Sequence, residues 1–254
     1  MIDINLKNTL FITEGNVDRK IPNRDDSFYI LHNCRKMDKK NYIKIQTYTL
    51  DVLKKDVIPM EDNKYQYYSI KNRAYYMPWA TDLLPHEIDK IKEDYDNIKK
   101  KEKRELNFVG TPNKEWTIFK DIVEKHDIKF SRCGGFSKNK ATREENINLI
   151  QKSYISPAIQ DKWQVEHGYI PCRIFKNISY GKMGITNNLT VYELFEKNIV
   201  YNSDLNGLLL DSIENKNNHT KEKQFKLMDF VKDKHTYLNR VNNLLKFISY
   251  LQID

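Results

Sequence analysis

The sequence predicts an α/β protein whose sheets are largely parallel. In its second half, short apolar runs alternate with segments of helical pattern, the order expected of strands joined by crossover helices. These runs stop at glycine and polar residues, as at Gly110-Thr111-Pro112-Asn113 and Cys133-Gly134-Gly135. The first ~80 residues read instead as strands and turns.

Taken in order, Leu10 to Thr13 is an apolar run ending at Glu14-Gly15-Asn16, and Phe28 to Leu31 is another, ending at His32-Asn33-Cys34. Both carry polar residues at the C-terminal end, where open α/β sheets hold their ligands. Tyr42 to Tyr48 alternates with period two, the mark of a half-buried strand. Ala74 to Met77 is closed by Pro78. Thr81-Asp82 reads as the cap of a helix entered through Leu83-Leu84-Pro85. From Pro85 to about Arg104 the pattern is charged and helical but has no wide apolar stripe, which predicts a linker between domains. Strands are expected at Leu106–Val109, Ile128–Ser131 and Tyr154-Ile155, with helices at Glu115–Lys125 and Thr142–Lys152; Thr142 and Glu145 form a capping pair. Pro157 is expected to open another helix, and Val191–Phe195 to form one more. Residues 219–250 read as a helical tail. The expected division is a small N-terminal α/β domain with its linker helix over residues 1–104, and a C-terminal domain with the tail over 105–254.

The chain has 254 residues and a net charge of +8, which favours anionic partners. Part of that charge lies in runs such as Lys99 to Arg104, the usual composition of a solvated helix face. Cys34, Cys133 and Cys172 are odd in number and far apart, so a reducing compartment fits better than a disulfide framework. No apolar run has the length of a membrane span, and the N-terminus lacks the pattern of a signal peptide. A cytoplasmic protein without an integral membrane segment is the expectation.

The stretch from Tyr169 to Asn188 carries the most chemistry. It reads as a helix ending at Gly181, a short apolar run, and a polar Thr186-Asn187-Asn188 turn into the next helix. Arg173 and Lys176 lie three apart and share a helix face, a cationic pair suited to a phosphate or diphosphate. Asn177 sits beside them as a ligand contact or a buried hydrogen-bonding residue. Gly110-Thr111, following a strand, lets the backbone approach a phosphate closely. Asp94-Tyr95-Asp96 has the spacing of a metal-binding pair, but its charged surroundings read as a solvated helix, and no bound metal is expected.

Residues 106–240 resemble the C-terminal, donor-binding domain of GT-B glycosyltransferases. The resemblance rests on Phe108-Val109-Gly110-Thr111, Gly134-Gly135, the stretch from Gly168 to Gly181, and the Thr186-Asn187-Asn188 loop. It implies a GT-B-like fold of two Rossmann-like domains with parallel sheets, the N-terminal one reduced, and a helical C-terminal tail. It implies a metal-independent transferase that moves a sugar from a nucleotide-sugar to a glycan or other hydroxyl acceptor, with no cofactor. The donor-binding set would be Gly110, Thr111, Arg173, Lys176, Asn177, Gly181, Thr186, Asn187 and Asn188. Glu14 and His32, ending strands in the first half, are the candidates for the catalytic base. Many retaining members carry two glutamates eight positions apart before the conserved glycine; those positions here hold Gly168 and Lys176. The N-terminal half is short for a full acceptor domain, which leaves room for a homo-oligomer or a partner transferase. Two alternatives stand beside this reading: a basic nucleic-acid-binding protein, drawn from the charge, and a catalytically inactive glycosyltransferase-like partner, drawn from the missing glutamates.

Overall fold

The computed structural model describes residues 9–14, 24–32, 41–47, 57–60, 63–134 and 141–250. Two compact units divide the chain at Met1–Pro78 and Trp79–Asp254. The expected division at 104/105 is therefore corrected: the charged segment after Pro85 belongs to the second unit.

The first unit is one six-stranded sheet of β1 (Leu10–Glu14), β2 (Phe28–His32), β3 (Tyr42–Gln46), β4 (Val57–Met60), β5 (Asn63–Ser69) and β6 (Ala74–Tyr76), in the order β1-β2-β3-β6-β5-β4. β1, β2, β3 and β6 pair in parallel. β5 pairs antiparallel with both β6 and β4. The sheet is parallel-dominated, as expected, but β4 and β5, which the sequence pattern does not show, make it mixed. The reason is the short connection at 70–73, where Arg73 takes a φ of 47°. Such a link joins only antiparallel neighbours, since a parallel pair needs a longer crossover. In the interior strand β2, Tyr29, Ile30 and Leu31 are all buried, whereas β3 buries Ile43 and Ile45 in strict alternation. Among the described residues this unit has no helix.

The second unit contains α1 (Pro85–Glu93), α2 (Tyr95–Lys100), β7 (Glu105–Val109), α3 (Lys114–Lys125), β8 (Lys129–Cys133), α4 (Arg143–Lys152), α5 (Lys162–Glu166), α6 (Cys172–Ser179), β9 (Ile185–Thr186), α7 (Leu189–Leu194), β10 (Val200–Tyr201), α8 (Leu205–Asn218), α9 (Lys221–Lys234) and α10 (Tyr237–Tyr250). β7 pairs in parallel with β8, and β9 with β10. The extended segment 154–158 joins the two pairs. Tyr154 N donates to Glu105 O (2.7 Å), and Ala158 N donates to Ile185 O (2.8 Å) in a parallel bridge to Thr186. Pro157 lies in this extended segment and opens no helix; the next helix, α5, starts at Lys162, capped by Asp161.

The order β8, β7, 154–158, β9, β10 reverses direction of travel between β7 and 154–158. In open parallel sheets the crevice beyond the strand ends at such a reversal is the preferred ligand position. Leu106, Phe108, Ile155, Ile159, Ile185 and Val200 from these strands pack with Trp116, Phe119 and Val123 of α3 and Leu208 and Leu209 of α8. Trp116, Phe119 and Val123 recur at helical spacing, so one face of α3 is apolar. Burying each such side chain contributes about 1.5–3 kcal/mol relative to leaving it exposed.

Polar contacts across long sequence separations place α1 in this unit. Lys92 Nζ reaches Asp229 (2.6 Å) and Lys232 Nζ reaches Asp89 (2.7 Å), both between α1 and α9. Arg143 of α4 makes a two-pronged bond to Glu87 of α1 (2.9 and 2.8 Å). The expected Thr142 capping box is present, with Thr142 and Glu145 each bonding the other's backbone N–H. The expected cap at Thr81-Asp82 is replaced by Leu84, with Pro85 in the first turn. Glu87 instead accepts from Leu84 N (2.7 Å), and Thr81 shares a hydrogen bond with Ser179 (2.7 Å).

The hydrogen bonds from Arg143 hold the Glu87 carboxyl down at about 2, against the opposing effect of burial. A carboxylate whose folded pKa lies below its unfolded value stabilises the fold above the unfolded pKa, and the contribution is lost as pH falls through the folded one. Stability should therefore fall as pH drops from about 4.5 towards 2. Urea unfolding at a series of pH values should show a shallower decline in Glu87→Gln than in the wild type; identical slopes would contradict this assignment.

Candidate functional site

Three of the expected donor residues meet at the C-terminal end of β7. Gly110 follows the strand with a φ of 132°, and Gly134 follows β8 with a φ of 83°. Gly110 N is occupied, donating to Cys133 O (2.9 Å). The φ of Gly110 is one that L side chains rarely adopt, and a Cβ there would stand 2.8 Å from Arg173 Nη2, so the side chain lies close against this backbone. Thr111 is exposed beside it, and Asn113 Oδ1 caps α3 by accepting from Trp116 N (3.0 Å).

Arg173 extends from the first turn of α6. Its guanidinium lies over the Phe108 ring at 4.3 Å and near the Trp116 ring at 5.5 Å. Among the described residues no carboxylate lies within ion-pair distance of it. Burial lowers its pKa to about 10, with Cys172 and Tyr169 pulling the other way, so it is cationic at neutral pH. A guanidinium held on aromatic faces without a counter-ion has lost hydration that only ring contacts replace. An incoming anion gains bidentate, charge-assisted hydrogen bonds there.

Lys176, one turn further along α6, has a different environment. Its Nζ donates to Asp82 Oδ2 at 3.0 Å, while Tyr180 donates its hydroxyl to Asp82 Oδ1 at 2.6 Å. Arg143 Nη2 also binds the Asp82 carbonyl (3.0 Å). The Lys176 charge is thus compensated within the fold. Asp82 pushes the Tyr180 pKa up, in addition to the larger effect of burial.

The remaining residues fasten the α6 framework. Asn177 is buried and donates to Ser156 O (2.6 Å), tying α6 to the extended segment 154–158. Gly181 follows the helix with a φ of 90°. Thr186 donates to Ala158 O (3.2 Å) and accepts from Asn188 N (3.2 Å). Asn187 accepts from Gln160 N (2.9 Å) and donates to Gln160 O (2.8 Å), extending the strand pairing with its side chain. Asn188 donates to Tyr169 O (3.2 Å) and caps α7 through Thr190 N (2.9 Å). Gln160 Nε2 donates to that same Tyr169 carbonyl. The loop thereby fixes the 168–171 segment that leads into α6, and with it the position of Arg173.

Two acceptors at this edge are left over. Glu115 Oε2, in the first turn of α3, and Gln160 Oε1, just past the 154–158 strand, are buried without a hydrogen-bond partner among the described residues. Buried polar atoms are satisfied in most proteins, so both oxygens have acceptor capacity to spare. The sequence pattern gives no site role to Glu115, Gln160, the Phe108–Trp116 platform or Asp82, which it marks only as part of a helix cap. Asp82 is 94 residues from Lys176, a separation that no local pattern reports.

In the first unit Glu14 and His32 end adjacent parallel strands and stand opposite each other in register. The His32 ring is half-buried. Gly15, Asn16, Asn33 and Gly135 lie outside the described residues. His235 is fully buried, stacked 4.7 Å from Phe175, and faces Arg240 Nη2 across 2.8 Å. Burial and the Arg240 charge push its pKa well down, which makes it a neutral packing residue. Asp94 accepts from Asn97 (2.7 Å) and Asp96 pairs with Lys221 (2.6 Å). Among the described residues, no group of three His, Cys, Asp or Glu side chains is placed to hold a metal, and no helix is long and apolar enough to cross a membrane. No family model, no curated protein and no solved structure matches this chain.

Proposed function

We propose that the second unit binds the diphosphate of a nucleotide-sugar at Arg173, and that the chain is a metal-independent glycosyltransferase of GT-B type. The observation that carries this reading is the uncompensated Arg173 guanidinium lying against Gly110 at the end of β7. In sugar transfer an acceptor hydroxyl attacks the anomeric carbon and the bond from that carbon to the diphosphate oxygen breaks. Negative charge then grows on the leaving nucleoside diphosphate, and a fixed cation in a partly desolvated site stabilises it more than the ground state. Arg173 is such a cation, and the exposed Thr111 adds a hydroxyl donor beside it. The orphaned Glu115 and Gln160 oxygens suit hydroxyls of the ribose or sugar. The acceptor proton goes to a carboxylate or imidazole base.

The test is release of nucleoside diphosphate from a panel of nucleotide-sugars, with and without a chelator. Turnover of one donor, unchanged by chelation, is the expected result. Binding of a nucleotide with no release from any donor, with acceptors present, would favour the inactive glycosyltransferase-like partner. Salt-dependent affinity for nucleic acid with no nucleotide binding would replace the proposal by the nucleic-acid reading.

A further inference from the structure

A cavity of about 580 Å³ opens on the opposite, N-terminal edge of β9 and β10. Met183, Ile199, Leu227 and Phe230 contribute its apolar wall. The charged part of its lining is three lysines, Lys197, Lys223 and Lys226, against one carboxylate, Glu196. All four are exposed, and none of the three lysines forms an ion pair among the described residues.

The rim is also conformationally unusual. Glu196 and Lys197 take consecutive left-handed conformations, with φ of 52° and 63°. That region is costly for residues with a Cβ, and it persists where the surroundings enforce it. Here Glu196 N donates to Glu193 O (3.0 Å) and Lys197 N to Tyr192 O (3.0 Å). The turn seats Ile199 so closely on Gly184 that a Cβ at 184 would lie 2.4 Å from Ile199 Cγ2. Lys197 is therefore held at the mouth while Ile199 is held in the wall. His219 lines the cavity too, its ring bonded to Gln224 (2.9 Å) and its pKa lowered mainly by burial. Behind Met183 and His219 stands a second small hollow lined by Lys99, Lys182, Lys216 and Glu102, which adds to the positive potential from that side.

We infer that this cavity is a second binding site, for a small amphiphilic phosphate whose acyl or aryl group lies on the apolar wall and whose phosphate meets Lys197, Lys223 and Lys226. A walled hollow with an apolar side and unpaired cations at the mouth fits a single chain with one anionic end. The site lies across the sheet from Arg173 and does not depend on the function proposed for that edge.

The test uses n-octyl phosphate, measured by titration calorimetry below its micellar concentration, with inorganic phosphate, n-octanol and n-butyl phosphate as controls. Saturable one-to-one binding of octyl phosphate is expected, tighter than butyl phosphate by roughly two- to fourfold per methylene added. Lys223→Gln/Lys226→Gln changes only exposed side chains, and should weaken octyl phosphate roughly tenfold or more while leaving octanol unaffected. The inference is overturned if octyl phosphate does not saturate, if inorganic phosphate binds as tightly, or if the double variant binds unchanged. Cosedimentation with phosphatidylglycerol vesicles without octyl phosphate binding would also overturn it, by assigning the lysines to a membrane-facing patch. A nucleoside diphosphate should bind the double variant as it binds the wild type, which separates failure here from failure at Arg173.

Discussion

Arg173→Met should weaken binding of a nucleoside diphosphate roughly 100-fold without unfolding the protein. Two charge-assisted hydrogen bonds from one guanidinium, at about 1.5 kcal/mol or more each, amount to about 3 kcal/mol, and each 1.4 kcal/mol is tenfold in affinity. Methionine keeps an apolar stem against Phe108, where the guanidinium now lies at 4.3 Å, so the melting temperature should move little. Lys176→Met is the informative companion. Spacing along α6 gives both cations equal weight, but Lys176 is bonded to Asp82 at 3.0 Å and has little charge to spare. Its replacement should change diphosphate affinity by no more than about threefold, within the range of a screened, compensated charge. Calorimetric titration of both variants decides the matter. Equal losses would mean that Lys176 leaves Asp82 to bind the ligand, and an unchanged Arg173→Met would remove this site.

The largest effect on stability is expected at Glu102, which lies between α2 and β7. It accepts from Lys182 and Lys216 at 2.6 Å each and from Lys99 at 3.1 Å. Lys182 also donates to the Ser153 and Gln151 carbonyls, and Lys216 lies 4.6 Å from the Tyr154 ring. A single carboxylate is thus the shared counter-ion of a cluster in which the Lys182 side chain is 3% exposed. Glu102→Gln takes the counter-ion from a buried lysine, which must then lose its proton or stay as an unpaired charge, a change that costs up to about 3–5 kcal/mol in comparable sites. Lys182→Met removes the most deeply buried charge and leaves Glu102 paired with Lys216 and Lys99, so it should cost less than half as much. Urea unfolding of both variants tests this asymmetry, and equal losses would contradict it.

The pH dependence has a definite sign. Burial lowers the Lys182 pKa to about 7, against the pull of Glu102. A lysine whose folded pKa lies below its unfolded value binds fewer protons when folded, so its contribution to stability rises with pH between about 7 and 10.5. Without Glu102 the shift is larger, and the deficit of Glu102→Gln should shrink as pH is raised from 7 to 9.

Much of the second unit was legible because its signals are local. The apolar runs before Gly110 and Cys133 are strands, and Thr142 with Glu145 caps α4. Arg173 was visible as a cation in the first turn of a helix after a proline. What was not legible depends on distance in the chain. α1 buries Ile88 as its fully enclosed apolar residue, and its place is set by the pairing of Lys92 and Asp89 with Asp229 and Lys232. That is why the boundary fell at 104/105 on pattern and at 78/79 in space. The Thr186-Asn187-Asn188 turn was recognised, but a polar turn does not reveal which way its side chains bond. Here they bond Ala158, Gln160, Tyr169 and Thr190, and so act on the site through the placement of α6.

The central claim is that Arg173 and the end of β7 form a diphosphate site. The most direct measurement is the melting temperature of the whole chain with nucleoside diphosphates and nucleotide-sugars, in the presence and absence of a chelator. A ligand that binds only the native state raises it by mass action. A saturable rise is expected with one nucleotide, unaffected by the chelator and shifted to roughly 100-fold higher ligand concentration in Arg173→Met. No rise with any nucleotide, or an equal rise in Arg173→Met, would contradict it.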